Sequence, residues 1–547
     1  MRSNAEEIVE RLEWLGVEIA FGLPGVHNLP LWQALSSSRI KLIGTRHEQT
    51  CVYAADGYAR ATGRLGVALV TSGPGAANTV AATGEAMASG SPVLVIASDI
   101  STALRRPGVY RGALHETPDQ AAMFAPLVKQ ATTVAAANEV GAAVEAAVHC
   151  ALEPSSGPVY VGIPTDLLSA DAGVRMAVDP AEQHCSAPFP RTTDLEAAAT
   201  MIGAAYRTLI CAGGGALRAG AGEAVAALAE RIAAPVLTTY LGKGLLPPDH
   251  PCLLPASAHL PEVGALWDVA DLVIAIGTDF DGTMTQNWAM PEPPRLLAVN
   301  IDAADASKSY RPDLTLVGDA REVTEALAER VPQRPGIDRV EAEVARISRD
   351  VRDRIVADDE GAVAFLDAMA ATVGDRDLVV DMCIPGYWLA ALHPVSRPRR
   401  FSLPFGWGTL GFAFPAAIGA AATGRRTICV CGDGGFLFAC GELATIAQER
   451  LPVTVVLVDD GGYGMLRFDQ EQADEEPFGV DLLSPDFVAL ARSFGVEACA
   501  VEGFGAEFEA GLRACLDGDG PNVIVVDAKL RPPINTSPRW YRRHGGS

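Results

Sequence analysis

Between Thr427 and Val458 the chain reads as an apolar run (Thr427 to Cys431), a Gly432-Asp433-Gly434 turn, a helix-like stretch (Phe436 to Arg450) and a second apolar run (Val453 to Val458). Two buried strands joined through a helix lie parallel, and a right-handed crossover puts both strand ends at one edge of the sheet. Gly432-Asp433-Gly434 and Asp459-Asp460-Gly461-Gly462-Tyr463 therefore share the carboxyl-terminal edge, where ligands bind in such sheets. A carboxylate at the first turn and oxygen donors at the second suit a Mg²⁺ that also carries a diphosphate. The helix opening after Gly434 turns backbone N–H groups toward such an anion.

The same alternation of strand and helix runs through the whole chain and predicts an α/β protein with three doubly wound parallel-sheet domains. At 547 residues one core is too few, and about three domains are expected. The breaks divide the chain into 1–175, 190–335 and 355–547, with a Pro-rich polar linker from Asp179 to Thr193 and a charged helix from Val340 to Asp353. In the first block the strand candidates are Val17 to Phe21, Leu42 to Thr45, Gly66 to Thr71, Val93 to Ala97 and Val159 to Gly162. In the second they are Thr208 to Cys211, Val236 to Thr239, Leu272 to Ile276 and Leu296 to Asn300.

A formal charge of −24 argues against a nucleic-acid or anionic-membrane partner, since little here would neutralise phosphates. Eleven cysteines without a CxxC pair read as reduced core residues, which together with the absence of a signal-like start or a long apolar run predicts a cytoplasmic protein.

Five more segments carry chemistry. His47-Glu48 opens a helix that continues through Gly57-Tyr58-Ala59-Arg60. Phe405-Gly406-Trp407-Gly408-Thr409-Leu410-Gly411-Phe412 is a Gly-rich turn into a helix. Phe21 to Asn28, with His27, and Thr71 to Asn78 are loops after strands, and Leu114-His115-Glu116 is a third loop. An imidazole at His27 or His115 can move a proton near neutral pH.

These motifs, in this order, resemble those of the thiamine-diphosphate-dependent enzymes, in the acetolactate-synthase-like and 2-oxo acid decarboxylase-like branch. The resemblance spans the chain, including Thr239 to Gly244 and Asp249-His250-Pro251 in the middle block. It implies a pyrimidine-binding first domain, a central domain and a diphosphate-binding third domain. Glu48 would hydrogen-bond the aminopyrimidine, the Gly408 carbonyl would accept from its amino group, and Leu410 would prop the cofactor bent. Asp433, Asp460 and the Gly462 carbonyl would hold Mg²⁺, with Cys383, Gly434, Gly435, Phe436, Tyr463 and Gly464 lining the diphosphate. Glu48, His115 and His27 are the implied catalytic residues.

The implied reaction is decarboxylation or carboligation of a small-molecule 2-oxo acid through a C2 carbanion and an enamine, as a lyase or transferase. The implied assembly is a homodimer or homotetramer with sites between subunits.

Four departures set this chain apart. Asp460 stands where the motif has Asn, and like charges about 4 Å apart cost roughly 4 kcal/mol at an effective dielectric near 20. The loop Asp381 to Gly386 is mostly apolar and offers few donors. The tryptophan that acetolactate synthases use to select a second oxo acid is missing from Met465 to Asp469. Asp279 replaces an Arg of the flavin-binding forms, which speaks against FAD.

The segment Phe468 to Glu476 carries five acids and reads as a solvated loop or as a lid for a cationic substrate. Gly479-Val-Asp-Leu and Pro485-Asp486-Phe487 resemble the guanidino-2-oxo acid decarboxylases. Two alternatives thus accompany the main reading: a decarboxylase for a guanidino substrate, and a non-catalytic relative whose cofactor site is lost.

Overall fold

Apolar runs separated by helices fold into three all-parallel sheets in a computed structural model that describes residues 2–106, 108–173 and 187–533. The first sheet comprises β1 (Ile19–Gly22), β2 (Lys41–Gly44), β3 (Gly66–Val70), β4 (Val93–Asp99), β5 (Gln130–Thr133) and β6 (Val159–Pro164). The central sheet has β7 (Thr208–Ala212), β8 (Val236–Thr238), β9 (Leu272–Ile276), β10 (Leu296–Asn300) and β11 (Leu314–Val317). The third has β12 (Asp377–Val380), β13 (Phe401–Ser402), β14 (Thr427–Gly432), β15 (Val453–Asp459), β16 (Glu497–Glu502) and β17 (Asn522–Asp527).

Strand orders are β2-β1-β3-β4-β6-β5, β11-β10-β9-β7-β8 and β13-β12-β14-β15-β17-β16. The first and third sheets thus share one topology, and the central sheet repeats its first five places without the last strand. Each reverses winding between its first strand and its third, which leaves a crevice at that point. In the first sheet the crevice lies between β1 and β3, and in the third between β12 and β14.

The register Gly432↔Val458 between β14 and β15 places the two glycine-aspartate turns side by side, as the crossover requires. The helix expected between them is broken. Asp433–Leu437 is a five-residue helix, Cys440–Glu442 a 3₁₀ turn, and Leu443–Glu449 a separate helix. The break brings Glu442, 1 % exposed, under the N–H groups of Arg46 and His47 at 2.9 and 3.1 Å. The charged helix predicted from Val340 to Asp353 is longer, Ile337–Asp358. The acidic stretch is not all loop, because its start lies on helix Gly464–Gln472. Most of the predicted Asp179 to Thr193 linker, and residues 534–547, fall outside the described residues.

First and third blocks share one core. Helix Glu48–Thr62 lies between the first sheet and helix Ala413–Ala421, and buries Tyr53 edge-on against Phe412, centroids 5.5 Å apart. Glycine makes the crossing possible. A Cβ on Gly57 would collide with the Ala416 carbonyl, and one on Gly419 with the Ala54 carbonyl. Arg60, bidentate to Asp56 at 2.7 Å, also reaches Glu85 at 3.1 Å and the Leu403 carbonyl at 2.7 Å, so charge is paired where the blocks meet. Among the described residues no disulfide forms, and no helix is long and apolar enough to cross a membrane.

Candidate active site

Because β1 and β3 are neighbours, the loops that follow them touch. The fully buried Ser72 hydroxyl meets His27 Nδ1 at 2.7 Å and His115 Nδ1 at 3.2 Å. The two rings stand edge to face with centroids 5.1 Å apart. His115 holds a left-handed backbone, φ 65°, strained for a residue with a Cβ. Burial, and next the charge of His115, push the His27 pKa below its ordinary value, so the ring is neutral at pH 7. Gln120 locks the loop from beneath, accepting the Gly73 N–H at 2.7 Å and donating to Ser98 O at 2.9 Å and to the Tyr160 hydroxyl at 2.6 Å.

Glu48 begins its helix half-buried, and its Oε2 accepts from Asn78 Nδ2 at 2.9 Å. All three residues expected to be catalytic therefore gather around one loop, Thr71 to Asn78. The histidines meet its Ser72 end and Glu48 its Asn78 end. Ser72, Asn78 and Gln120 were not singled out from sequence, because small polar loop residues carry no periodicity.

At the third sheet's edge Asp433 is 1 % exposed. Ser484 Oγ stands 3.4 Å from its Oδ2 and 2.8 Å from Asp459 Oδ1, while Asp433 Oδ1 and Asp460 Oδ1 are both buried without a hydrogen-bond partner. Burial pushes Asp433 up to about 7 against the Gly434 N–H, helped by the charges of Asp460 and Asp459. Burial likewise raises Asp460, against Arg467. Two desolvated carboxylate oxygens without donors suit a divalent cation, which relieves both at once.

The glycines around them let the chain's own side chains pack close to the backbone. A Cβ on Gly434 would lie 2.6 Å from the Tyr463 ring, and one on Gly435 2.7 Å from Asp381 Oδ2. Gly464 lies against Asp460 and Ile384. Phe436 points into the core beside Phe414, so only its backbone is available there. Arg467 braces the second turn, bonding Asp481 Oδ1 at 2.7 and 2.9 Å and the Gly461 carbonyl at 3.2 Å. Among the described residues no three His, Cys, Asp or Glu side chains group to hold a metal, so any ligand beyond the two carboxylates comes from elsewhere.

The loop Asp381 to Gly386 does more than its apolar character suggested. Asp381, 2 % exposed, accepts the N–H groups of Gly411 at 3.0 Å, Phe412 at 3.3 Å and Met382 at 3.1 Å, which ties the end of β12 to the loop carrying Gly408 and Leu410. Burial nevertheless holds its pKa up to about 7. Leu410 stands beside Gly435, and Trp407 N–H and Thr409 Oγ1 fasten to the buried Glu85 at 3.0 and 3.1 Å. Cys383 caps helix Ile384–Leu392 next to Gly432, its thiol pushed well up by burial and then by Asp381. Asp381 was not singled out from sequence, although an aspartate closing an apolar run is the signal that would have marked it. Asp279, the residue set against FAD, is engaged by Lys308 at 2.6 Å.

Comparison with known proteins agrees with this arrangement. Residues 2–123 match the thiamine pyrophosphate enzyme N-terminal TPP binding domain, 195–327 its central domain and 382–526 its C-terminal TPP binding domain. A probable 2-ketoarginine decarboxylase of Pseudomonas aeruginosa is 37% identical over 526 residues, covering 95% of this chain and 93% of that protein. A probable acetolactate synthase large subunit of Methanocaldococcus jannaschii is 34% identical, covering 90% of this chain and 87% of its own length. A thiamine diphosphate-dependent 4-hydroxybenzoylformate decarboxylase of Rhodococcus jostii has the same fold, with TM-score 0.81 at 23% identity over 97% of this chain and all of its own (100%). The chain therefore belongs to the thiamine pyrophosphate enzyme family, in its acetolactate-synthase-like and 2-oxo acid decarboxylase-like branch.

Proposed function

We propose that this protein is a Mg²⁺- and thiamine-diphosphate-dependent decarboxylase of a 2-oxo acid with a cationic, guanidino-type side chain. The observation that carries the cofactor part is the pair of buried, donorless oxygens on Asp433 and Asp460 at adjacent strand ends. In this reading those carboxylates and the Gly462 carbonyl hold the metal. Gly434, Gly435 and Gly464 would line the diphosphate through their backbone, with Cys383, Tyr463 and the backbone of Phe436 beside them. Bound thiamine diphosphate supplies an electron sink for the loss of CO₂.

The chain's own groups do the rest. Asn78 holds Glu48 in place, and that carboxylate would serve as the proton-exchanging group toward the pyrimidine ring. Gly408 and Leu410 sit on a loop fixed by Asp381 and Glu85, a rigid support on which they would position the cofactor. His27 and His115, linked through Ser72, move a proton to or from the substrate-derived carbon.

The substrate part is supported by the acids after the metal turn. Asp469 and Glu471 lie on helix Gly464–Gln472, directly beyond Gly462 and Tyr463, and Asp474, Glu475 and Glu476 follow, exposed. The likeness to a probable 2-ketoarginine decarboxylase points the same way. A homodimer or homotetramer with sites between subunits fits the exposed Val26 and Leu114 on the histidine loops and Phe438 and Leu483 near the metal turn.

Two experiments test the reading. Titrating thiamine diphosphate with Mg²⁺ into metal-free protein separates it from the non-catalytic alternative, which binds neither. Turnover of 2-oxo acids with guanidino, neutral and acidic side chains tests the substrate, and equal rates for all three would remove the cationic preference.

A further inference from the structure

Away from the candidate active site, a cavity of about 400 Å³ opens where the segment after β8, helix Ile337–Asp358 and the end of helix Ile384–Leu392 meet. None of its lining residues belongs to the candidate active site. Three basic side chains reach it from different places in the chain: Lys243, His250 and His393. Ser348 adds a hydroxyl, while Asp249 and Glu341 line it as solvent-exposed residues.

The bases are poorly matched by the protein itself. Lys243 forms no hydrogen bond or ion pair among the described residues, although acids outnumber Lys and Arg by 67 to 43. Its ammonium lies over the Phe401 ring, 6.0 Å from the centroid. His393 is 4 % exposed and its Nδ1 has no partner. His250 Nε2 is buried without a hydrogen bond, 3.4 Å from Glu230 Oε1, while its Nδ1 accepts the Cys252 N–H at 3.2 Å.

Burial pushes Lys243 down to about 7, and burial together with Lys243 pushes His393 down to about 3. Both groups thus lack the negative charge that would let them hold protons. Basic groups of this kind, lining one cleft in an acidic protein, match an anion that brings its own oxygens.

We propose that this cavity binds a small oxoanion, a phosphate or a carboxylate, held by Lys243, His393 and His250. The place gives binding a route to the chemistry. His393 is the C-cap of helix Ile384–Leu392, and Cys383, the N-cap of that helix, lies beside Gly432 at the metal turn. An occupant at one end of this nine-residue helix is thereby joined to the cofactor loop at the other.

The test is calorimetric titration of inorganic phosphate, and separately of succinate, into enzyme saturated with thiamine diphosphate and Mg²⁺, so that the diphosphate site is already filled. One saturable site per chain is expected. Lys243→Met should weaken it at least about tenfold, whereas Lys243→Arg, which keeps the charge, should retain it. The stronger of the two anions identifies the ligand class.

A second measurement needs no variant. Acylation of Lys243 by acetic anhydride, followed by mass spectrometry, should slow when the anion is present. The proposal fails if neither anion saturates, if Lys243→Met binds as tightly as the parent, if chloride at equal ionic strength protects Lys243 as well, or if Zn²⁺ rather than an anion occupies the site.

Discussion

Asp433 and Asp460 follow adjacent parallel strands, and each keeps one buried carboxylate oxygen that no donor meets. Alone, the pair is a repulsive, desolvated arrangement, and a divalent cation turns it into an attractive one. Asp433→Asn should therefore weaken Mg²⁺-dependent binding of thiamine diphosphate by about tenfold or more, measured by calorimetry. Asp460→Asn should weaken it too. Tighter binding in the second variant would mean that the extra charge opposes the diphosphate rather than serving the metal.

Asp381 gives a pH signature to the fold itself. Its carboxyl is held up to about 7 by burial, against an ordinary value of 3.8. The folded chain thus keeps a proton that the unfolded chain has lost, and this group's contribution to stability falls as pH rises from about 4 to about 7. Fully developed, the loss is up to about 4 kcal/mol. In urea unfolding of the cofactor-free protein, Asp381→Asn should decline less steeply over that window than the parent. Its absolute stability should be lower by about 1–3 kcal/mol, since an amide cannot accept from all three N–H groups.

His115 stands against His27, and its charge helps burial to depress the His27 pKa. Removing the neighbouring charge with His115→Gln should raise the His27 pKa toward 6.5, because burial alone then depresses it. The limb of the pH–rate profile governed by His27 should move to higher pH. An unmoved limb would separate His27 from the rate.

Glu48→Gln tests the proton exchange directly. The amide still meets Asn78 yet carries no proton for transfer, so kcat should drop by about 10²–10⁴-fold with little change in the thermal midpoint. Retained turnover would remove Glu48 from the chemistry.

How legible these features were depended on burial. β4, β9 and β14 are fully or almost fully buried, so their sequences are plain apolar runs, and the register of the two metal turns followed from them. β5 and β16 border their sheets and are mostly half-exposed, so Gln130–Thr133 and Glu497–Glu502 lack that apolar signature. Glu48 and Asp433 stood out by their motifs. Residues that hold others in place did not. Glu85 lies inside the helical run Val80–Ala88, and only the fold shows that it gathers Arg60, Ser89, Trp407 and Thr409.

The glycine crossing between helices Glu48–Thr62 and Ala413–Ala421 limits how this chain can exchange parts with its relatives. Gly57 and Gly419 each make room for a backbone carbonyl of the other helix, so the two positions form a matched set separated by hundreds of residues. A chimera that takes its first block from one parent and its third from another will fold only if both parents are small at these positions. Exchange of the central domain alone, with one seam on either side of it, leaves both helices from a single parent, so the crossing is inherited whole.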